Sequence, residues 1–380
     1  MNIYLEKFDT CRVCHNRLKH LLTYENMPKA AQNFPDKDSL HKDKGIDLEV
    51  YQCTGCGLVQ LGNEPVSYYK DVIRAAAFSE EMKVFRLTQF DNFIKKYNLK
   101  NKNIVEIGCG KGEYLSLMDS FDINTYGIEH SQESVDYCID KGLKVSKMYL
   151  ENHYDVISEY HKFDAFFILN FFEHLINPNL TLKALKDNLT DDAVGIIEVP
   201  NFDMMLKNNL FSEFINDHLF YFTKETLTST LSKNDFEIIE INEVWHDYII
   251  SAVVKKRKKL DLTHFKQYQT KITNELNEYI DKFKNVAIWG ASHQGISIMA
   301  LTNIKDKIKY VIDDATFKQG KYTHATHIPI FSSKRLKTDP VDAIIVMAAS
   351  YSDEVAKKIK KNFNKNIKIS ILREHSLEIL

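Results

Sequence analysis

A glycine-rich turn at the end of a short apolar run constrains this chain more than any other feature. The run is Asn103–Ile107, and the turn that follows reads Gly108-Cys109-Gly110-Lys111-Gly112. Alternate glycines let the backbone turn sharply from a strand into a helix and approach a bound ligand closely. The pattern predicts the first strand and helix of a doubly wound α/β sheet, with a ligand site at the carboxyl end of the strand.

Predicted strands and helices alternate after this turn, as such a sheet requires. Phe163–Leu169 and Ala193–Val199 are typical of buried strands, and Leu180–Leu189 is typical of the helix between them. This alternation predicts a parallel sheet with right-handed crossover connections.

Acidic residues flank the turn where an adenosyl cofactor needs them. Glu106 stands two residues before Gly108, and Glu129 ends the next predicted strand, where a carboxylate accepts hydrogen bonds from ribose hydroxyls. A glycine triplet alone also suits NAD, which is the main alternative. The order acid-x-Gly-x-Gly-x-Gly favours S-adenosylmethionine. The predicted cofactor-binding residues are Glu106, Gly108, Gly110, Gly112, Glu129 and Asn170.

Two Cys-x-x-Cys pairs precede the turn. Cys11 and Cys14 form the first pair, and Cys53 and Cys56 form the second. Two such turns supply the four thiolates of a closed tetrahedral zinc site, which leaves no open coordination position. The sequence therefore predicts a structural zinc ion. Iron in the same site and four unrelated thiols are the alternatives.

Composition restricts the class of partner. The net charge is −2, and no basic stripe runs through the cysteine region, so we expect no nucleic-acid partner.

The amino terminus lacks a signal-peptide pattern and no apolar stretch is long enough to cross a bilayer. We therefore expect a cytoplasmic protein without a membrane segment. The oligomeric state is not predicted.

Candidate site residues lie on both sides of the glycine turn. Tyr69 and Arg74, in the connector before it, are candidates to contact substrate or cofactor. His174 and His218 follow predicted strand ends, and a histidine titrates near neutrality, which suits proton removal from a substrate. The alternative for each histidine is a packed or hydrogen-bonded structural role.

The order of these motifs resembles the sugar C-methyltransferases that act on nucleotide-linked keto-deoxysugars. The resemblance covers nearly the whole chain and includes Asn170-x-x-x-His174, Asp217-His218-Leu-x-Tyr221-Phe and a late Gly290-Ala-Ser292-x-x-Gly295. It implies methyl transfer to carbon through an enolate, with His218 as the base and His174, Asp217 and Asn170 in the catalytic site. A small-molecule substrate, a nucleotide-linked sugar, is the partner that it implies.

The chain departs from that family in one motif. The family has Tyr-x-Glu-His where this chain has Ile215-Asn216-Asp217-His218. An isoleucine cannot replace a phenol hydroxyl, so transfer to oxygen or nitrogen of another activated sugar or cell-surface precursor is an alternative. A zinc-ribbon RNA methyltransferase and a non-catalytic binding protein are the others.

Three domains are predicted. Residues 1–75 form a zinc-binding module with its connector, residues 76–257 a class I S-adenosylmethionine-dependent methyltransferase domain, and residues 258–380 a second Rossmann-like α/β domain. The turn of the last domain could bind a substrate phosphate at a helix amino terminus or could serve only the fold. The predicted substrate-binding residues are Tyr69, Arg74, Tyr221, Gly290, Ser292 and Gly295.

Overall fold

Two compact units make up the protein. The computed structural model describes residues 10–32, 34–70 and 79–380, and the units divide after Lys258. Arg74 lies outside the described residues. Among the residues that are described, no helix combines the length and the apolar character needed to cross a bilayer.

The cysteine region opens the first unit with three antiparallel strands, and a helix follows. Ser79 begins that helix because its side chain accepts a hydrogen bond from the Met82 N–H, and two glutamates in the first turn complement the helix dipole. The elements are β1 (Leu18–Met27), β2 (Ile46–Cys53), β3 (Val59–Leu61) and α1 (Glu80–Lys96).

The rest of the first unit alternates strands with helices. Its elements are β4 (Asn103–Ile107), α2 (Glu113–Met118), β5 (Asn124–Glu129), α3 (Gln132–Asp140), β6 (Val145–Lys147), β7 (Phe163–Leu169), α4 (Pro178–Asp187), β8 (Leu189–Pro200), α5 (Phe202–Asn208), β9 (Phe220–Tyr221), α6 (Lys224–Lys233), β10 (Phe236–Val244) and β11 (Ile249–Lys256).

A seven-stranded sheet carries the glycine turn. Its strand order is β10-β11-β8-β7-β4-β5-β6, so the class I methyltransferase fold predicted from the glycine turn is confirmed. The expectation of an all-parallel sheet is wrong at one strand, because β11 runs antiparallel to both of its neighbours. The connection from β10 to β11 is a short turn, Trp245–Tyr248, which is too brief for a crossover.

The cysteine region adds its strands to a separate four-stranded sheet in the order β1-β2-β3-β9. The fourth strand, β9, comes more than a hundred residues after β3 along the chain and pairs with it through Val59 opposite Tyr221. Cys11, Cys53 and Leu58 belong to the same hydrophobic cluster as core residues of the seven-stranded sheet. The cysteine loops therefore pack directly on the seven-stranded sheet.

The second unit is also Rossmann-like. Its six-stranded sheet has the order β14-β13-β12-β15-β16-β17, with only the last strand antiparallel to its neighbour. Its elements are α7 (Thr263–Ile280), β12 (Val286–Trp289), α8 (His293–Leu301), β13 (Ile308–Ile312), β14 (Ile330–Phe331), α9 (Arg335–Thr338), β15 (Ala343–Val346), α10 (Ser352–Asn362), β16 (Lys368–Leu372) and β17 (Leu377–Ile379).

A buried ion pair fixes α1 to the seven-stranded sheet. The Arg86 guanidinium bonds the Glu198 carboxylate of β8, and both side chains are 0% exposed. Gln89 donates a second hydrogen bond to Glu198, at 2.5 Å, and the guanidinium lies 4.6 Å from the centre of the Tyr114 ring. Removal of one partner would leave the other as an uncompensated buried charge.

We expect Arg86→Ala to lower the free energy of unfolding of the first unit by about 3–5 kcal/mol, because the Glu198 carboxylate loses its counter-charge. Urea denaturation followed by circular dichroism measures the change. Lys95→Ala, on the same helix, is the matched control: its pair with Asp91 is exposed, and its loss should cost less than about 1 kcal/mol. Equal midpoints for the two variants would contradict the assignment.

Candidate active site and cysteine cluster

The glycine turn forms the floor of the site at the carboxyl end of β4. Gly108, Gly110 and Gly112 all have positive φ, at 69°, 58° and 78°, in the left-handed region that disfavours side chains. A Cβ atom on Gly108 would also lie 2.8 Å from the Phe171 ring. Glycine is therefore required at Gly108 by both conformation and space.

Glu129 closes a narrow cleft beside this turn. Its Oε2 accepts a hydrogen bond from the Gly110 N–H at 2.9 Å, and its Oε1 accepts from the N–H groups of His130 and Ser131 at 2.8 and 3.0 Å. These bonds hold the carboxylate at the end of β5. The cleft walls are largely apolar and include Ile107, Ile128, Met148, Tyr149, Leu150 and Leu175.

The donor set of this cleft fits an adenosyl group. A fixed carboxylate suits the ribose hydroxyls, and apolar walls suit the adenine ring. The cleft holds only about 10 Å³ of free space, and Phe171 lines it. An adenosyl ligand therefore requires side chains such as Phe171 to turn aside.

Glu106 occupies a different place from the glycines. Its side chain is fully buried within β4. Among the described residues, Glu106 lines neither the narrow cleft nor a larger cavity that also borders Gly108. Asn170, the residue directly after β7, lines the larger cavity and has a φ of 50°.

The larger cavity encloses about 310 Å³ next to the glycine turn. It brings together residues from seven separate chain segments. Its polar and aromatic lining residues include Gln32, Tyr114, Asn170, Glu173, His174, Asp217, His218, Trp245 and Tyr248.

His174 lies in this cavity with a defined tautomer. It ends a 3₁₀ turn, Phe172–His174, and its Nδ1 lies 2.7 Å from the carbonyl oxygen of Asp217. A carbonyl only accepts, so Nδ1 carries the proton and Nε2 keeps a lone pair. Burial lowers the pKa of His174, which keeps this ring neutral near pH 7.

His218 lines the same cavity and its ring contacts that of His174. The two ring centres are 4.8 Å apart in an edge-to-face arrangement. Burial, and then the neighbouring His174, hold the pKa of His218 well below that of an exposed histidine. Both rings are therefore available as proton acceptors at neutral pH.

Backbone bonds hold the His218 loop on both sides. The Leu61 N–H donates to the Leu219 carbonyl at 3.0 Å, and the Leu219 N–H donates to the Glu173 carbonyl at 2.9 Å. Tyr221 is buried, and its hydroxyl accepts from the Ile215 N–H at 2.9 Å. The Tyr221 hydroxyl thus serves the loop itself.

Asp217 connects the loop to the amino-terminal region. Its carboxylate accepts hydrogen bonds from the Tyr68 hydroxyl at 2.7 Å and from the Ala31 N–H at 3.0 Å. Tyr69, the neighbour of Tyr68, instead packs edge-on against Tyr149 with ring centres 6.0 Å apart. It therefore lies by the adenosyl cleft rather than by the histidines.

The four paired cysteines converge on one point. Their sulfur atoms all lie within 4.8 Å of one another; Cys11 is 3.8 Å from Cys56, and Cys14 is 3.2 Å from Cys53. A tetrahedral zinc ion with bonds of about 2.3 Å separates its sulfurs by about 3.8 Å. Backbone N–H groups of Val13 and Gly55 point at Cys11 and Cys53, so the donor set fits a four-thiolate metal.

The predicted phosphate-binding turn of the second unit, Gly290–Gly295, is closely packed against its own backbone and against Met347. Ser292 begins α8, where its side chain accepts from the Gly295 N–H and donates to the Met347 carbonyl at 3.2 Å. A Cβ on Gly290 would lie 2.4 Å from that carbonyl oxygen, and one on Gly295 would lie 2.3 Å from the Gly290 carbonyl. Close packing by itself explains why glycine occupies both positions.

Several site residues carry no recognisable sequence signal. Ala31 and Gln32 come from an irregular segment, and Trp245 comes from a turn in which three successive residues have positive φ. Tyr68 is adjacent to Tyr69, the residue predicted to contact substrate or cofactor. Only the tertiary structure shows that Tyr68 reaches Asp217 and that Tyr69 packs against Tyr149. Phe171 sits inside the Asn170-x-x-x-His174 motif, at a position that the motif leaves open.

Comparisons with known proteins agree with the fold and the glycine turn. Residues 79–241 match the family model of a methyltransferase domain, and residues 256–371 match that of a C-methyltransferase C-terminal domain. The C-methyltransferase NovU of Streptomyces niveus is 20% identical in an alignment 394 positions long, gaps included, that covers 93% of each chain.

Solved structures show more distant similarity. A S-adenosylmethionine-dependent methyltransferase from Clostridium acetobutylicum ATCC 824 is 16% identical, with a TM-score of 0.39 over 50% of this chain and 96% of that one. The plantazolicin methyltransferase BpumL in complex with SAH is 17% identical, with a TM-score of 0.37 over 50% and 88%.

The protein is an S-adenosylmethionine-dependent methyltransferase. The match of its carboxyl-terminal residues and the end-to-end similarity to NovU further support a C-methyltransferase.

We expect Glu129→Gln to weaken binding of S-adenosylmethionine by about 10- to 100-fold, since a charged acceptor for the ribose is lost. Isothermal titration calorimetry measures the affinity. Glu133→Gln, which removes an exposed partner of Lys111, should change it by less than about fivefold. Unaltered affinity in Glu129→Gln would show that the ribose binds elsewhere.

Proposed function

We propose that this enzyme methylates a carbon of a nucleotide-linked keto sugar through an enolate. The observation that carries the proposal is the pair of neutral histidines, His174 and His218, that face each other in one cavity beside the glycine turn. The motif order supports it, because it resembles that of sugar C-methyltransferases throughout the chain.

The cofactor supplies an electrophilic methyl group. Glu129 would hold the ribose, the apolar cleft would hold the adenine, and Gly108, Gly110 and Asn170 would border the methionine end. The cavity with the histidines adjoins this end of the cleft, since Gly108 and Phe171 line both.

His218 is the proposed base. It would remove the proton on the carbon beside the sugar ketone. The enolate carbon would then accept the methyl group as its bond to the sulfonium sulfur breaks, and S-adenosylhomocysteine would leave as the neutral thioether. His174 positions the substrate, because its unprotonated Nε2 can accept a hydrogen bond from a sugar hydroxyl. The amide of Asn170 is the proposed donor to the enolate oxygen.

We also propose that the four cysteine sulfurs bind a structural zinc ion. The ion would fix the loop before β1 to the loop between β2 and β3. Strand β2 pairs with β3, and β3 in turn pairs with β9 beside His218. The zinc would therefore act on catalysis only through the position of the loop.

We expect about one zinc ion per chain by inductively coupled plasma mass spectrometry. Cys53→Ser should lose the metal and most methyl transfer, since structural zinc contributes roughly 10 kcal/mol or more to local folding. Cys138→Ala, a buried cysteine outside the cluster, should retain the metal. A zinc-free protein with full activity would disprove the structural role.

We expect His218→Asn to lower kcat by about 10²- to 10⁴-fold while cofactor affinity stays constant, because only the base is removed. A sharper assay omits methyl transfer: the wild-type enzyme with S-adenosylhomocysteine in D₂O should exchange the proton beside the ketone of a nucleotide-linked keto-deoxysugar, as followed by NMR. His218→Asn should abolish that exchange.

The exchange assay separates carbon from heteroatom methylation. A hydroxyl or amine acceptor needs a base but no enolate, so methyl transfer without proton exchange would replace this proposal with O- or N-methylation. His246→Asn is the control, since His246 is exposed and pairs with Glu81; it should exchange at the wild-type rate.

A further inference from the structure

Tyr68 bonds to the loop of the proposed base from outside the cavity. Its hydroxyl donates to Oδ1 of Asp217 at 2.7 Å and accepts from the Gln32 N–H at 3.3 Å. Tyr68 itself does not line the cavity of the two histidines, on the basis of the described residues. Direct contact with substrate is thus not its role.

Asp217 is held at three of its atoms. Its carboxylate accepts from Tyr68 through Oδ1 and from the Ala31 N–H through Oδ2, and its main-chain carbonyl accepts from Nδ1 of His174. The residue is only 4% exposed. Tyr68 is the one side chain among the described residues that donates a hydrogen bond to this carboxylate.

The direction of the Asp217 carboxylate matters for His218. The two residues are adjacent in the chain and line the same cavity. A carboxylate that turned toward the imidazole would favour its charged form, and a protonated His218 cannot act as a base. Tyr68 and Ala31 hold the carboxylate in hydrogen bonds of its own.

Other ionisable groups face His218 from each element around it. Glu173 and His174 come from the 3₁₀ turn, and Tyr221 comes from β9, with its ring centre 6.4 Å away. Tyr248, from the turn before β11, also lines the cavity and donates to Glu213 at 2.5 Å. Unlike these groups, Asp217 is held by hydrogen bonds from the amino-terminal region, through Tyr68 and Ala31.

We propose that Tyr68 is a positioning residue of the active site: its hydroxyl holds the Asp217 carboxylate away from His218 and so keeps that ring able to accept a proton. The inference rests on the proposed role of His218 as the base. Under this inference the amino-terminal region controls the protonation of the proposed base. The chain has Ile215 at the position where the resembled family has a tyrosine, so here a tyrosine from another segment contacts the loop of His218.

Tyr68→Phe tests the inference without a substrate. In protein labelled with ¹³C-histidine, NMR titration reports the pKa of His218, and His218→Gln assigns the resonance. We expect Tyr68→Phe to raise this pKa by about 1 unit or more, since the freed carboxylate can pair with the imidazolium. The acid limb of kcat/KM should move to higher pH by the same amount, because the base is unprotonated only above its pKa.

Tyr24→Phe is the matched control. Tyr24 lies on β1 in the same region, packs against Phe214 with ring centres 5.6 Å apart, and should leave the titration unchanged. In Tyr68→Phe with Asp217→Asn, the charge is absent and the pKa of His218 should match that of Asp217→Asn alone.

Two results would overturn the inference. One is a His218 titration in Tyr68→Phe that equals the wild type, and the other is a rise that persists in the double variant. Should Tyr68→Phe fail to fold, Asp217→Asn alone still tests the inference. A fall of more than about 1 unit in the pKa of His218 would mean that the carboxylate already pairs with His218 in the wild type, and this result would also overturn the inference. The titration needs no sugar. Its outcome is therefore distinguishable from a failure of the proposed function, in which no nucleotide sugar would react.

Discussion

The pairing of β3 with β9 is the constraint on which the active site depends. It consists of a few backbone hydrogen bonds, between Val59–Leu61 and the segment that directly follows His218. Because β3 belongs to the cysteine region and β9 to the catalytic region, this pairing joins segments that are remote in sequence. The buried Gln60, whose side chain accepts from the Arg12 N–H at 3.1 Å, extends the connection to the first cysteine loop.

This arrangement connects the cysteine cluster to the cavity of the two histidines. The cluster orders β2 and β3, the edge of β3 orders β9, and the loop before β9 presents His218 to the cavity. The carbonyl of Asp217 in the same loop selects the tautomer of His174. One loop therefore determines the position of one histidine and the protonation pattern of the other.

Burial sets the electrostatics of the cavity. Both histidines have a lowered pKa because their charged forms would lose hydration, which leaves two neutral acceptors within a small volume. Arg86 and Glu198 neutralise each other, and Arg86 contacts the ring of Tyr114, which lines the cavity. The cavity thus holds two unprotonated histidines, while the carboxylate of Asp217 accepts hydrogen bonds from the neutral donors Tyr68 and Ala31.

Local patterns in the sequence determined the fold class, the glycine turn and the clustering of four cysteines, since each depends on residues close together in the chain. Strand Asn103–Ile107 and the acid at the end of the next strand follow from periodicity and spacing alone. Only the tertiary structure decided that β11 is antiparallel, that Tyr68 rather than Tyr69 reaches Asp217, and that His174 and His218 face each other. Those outcomes depend on pairings between distant segments, such as β3 with β9, whose stability comes from contacts that no local pattern encodes.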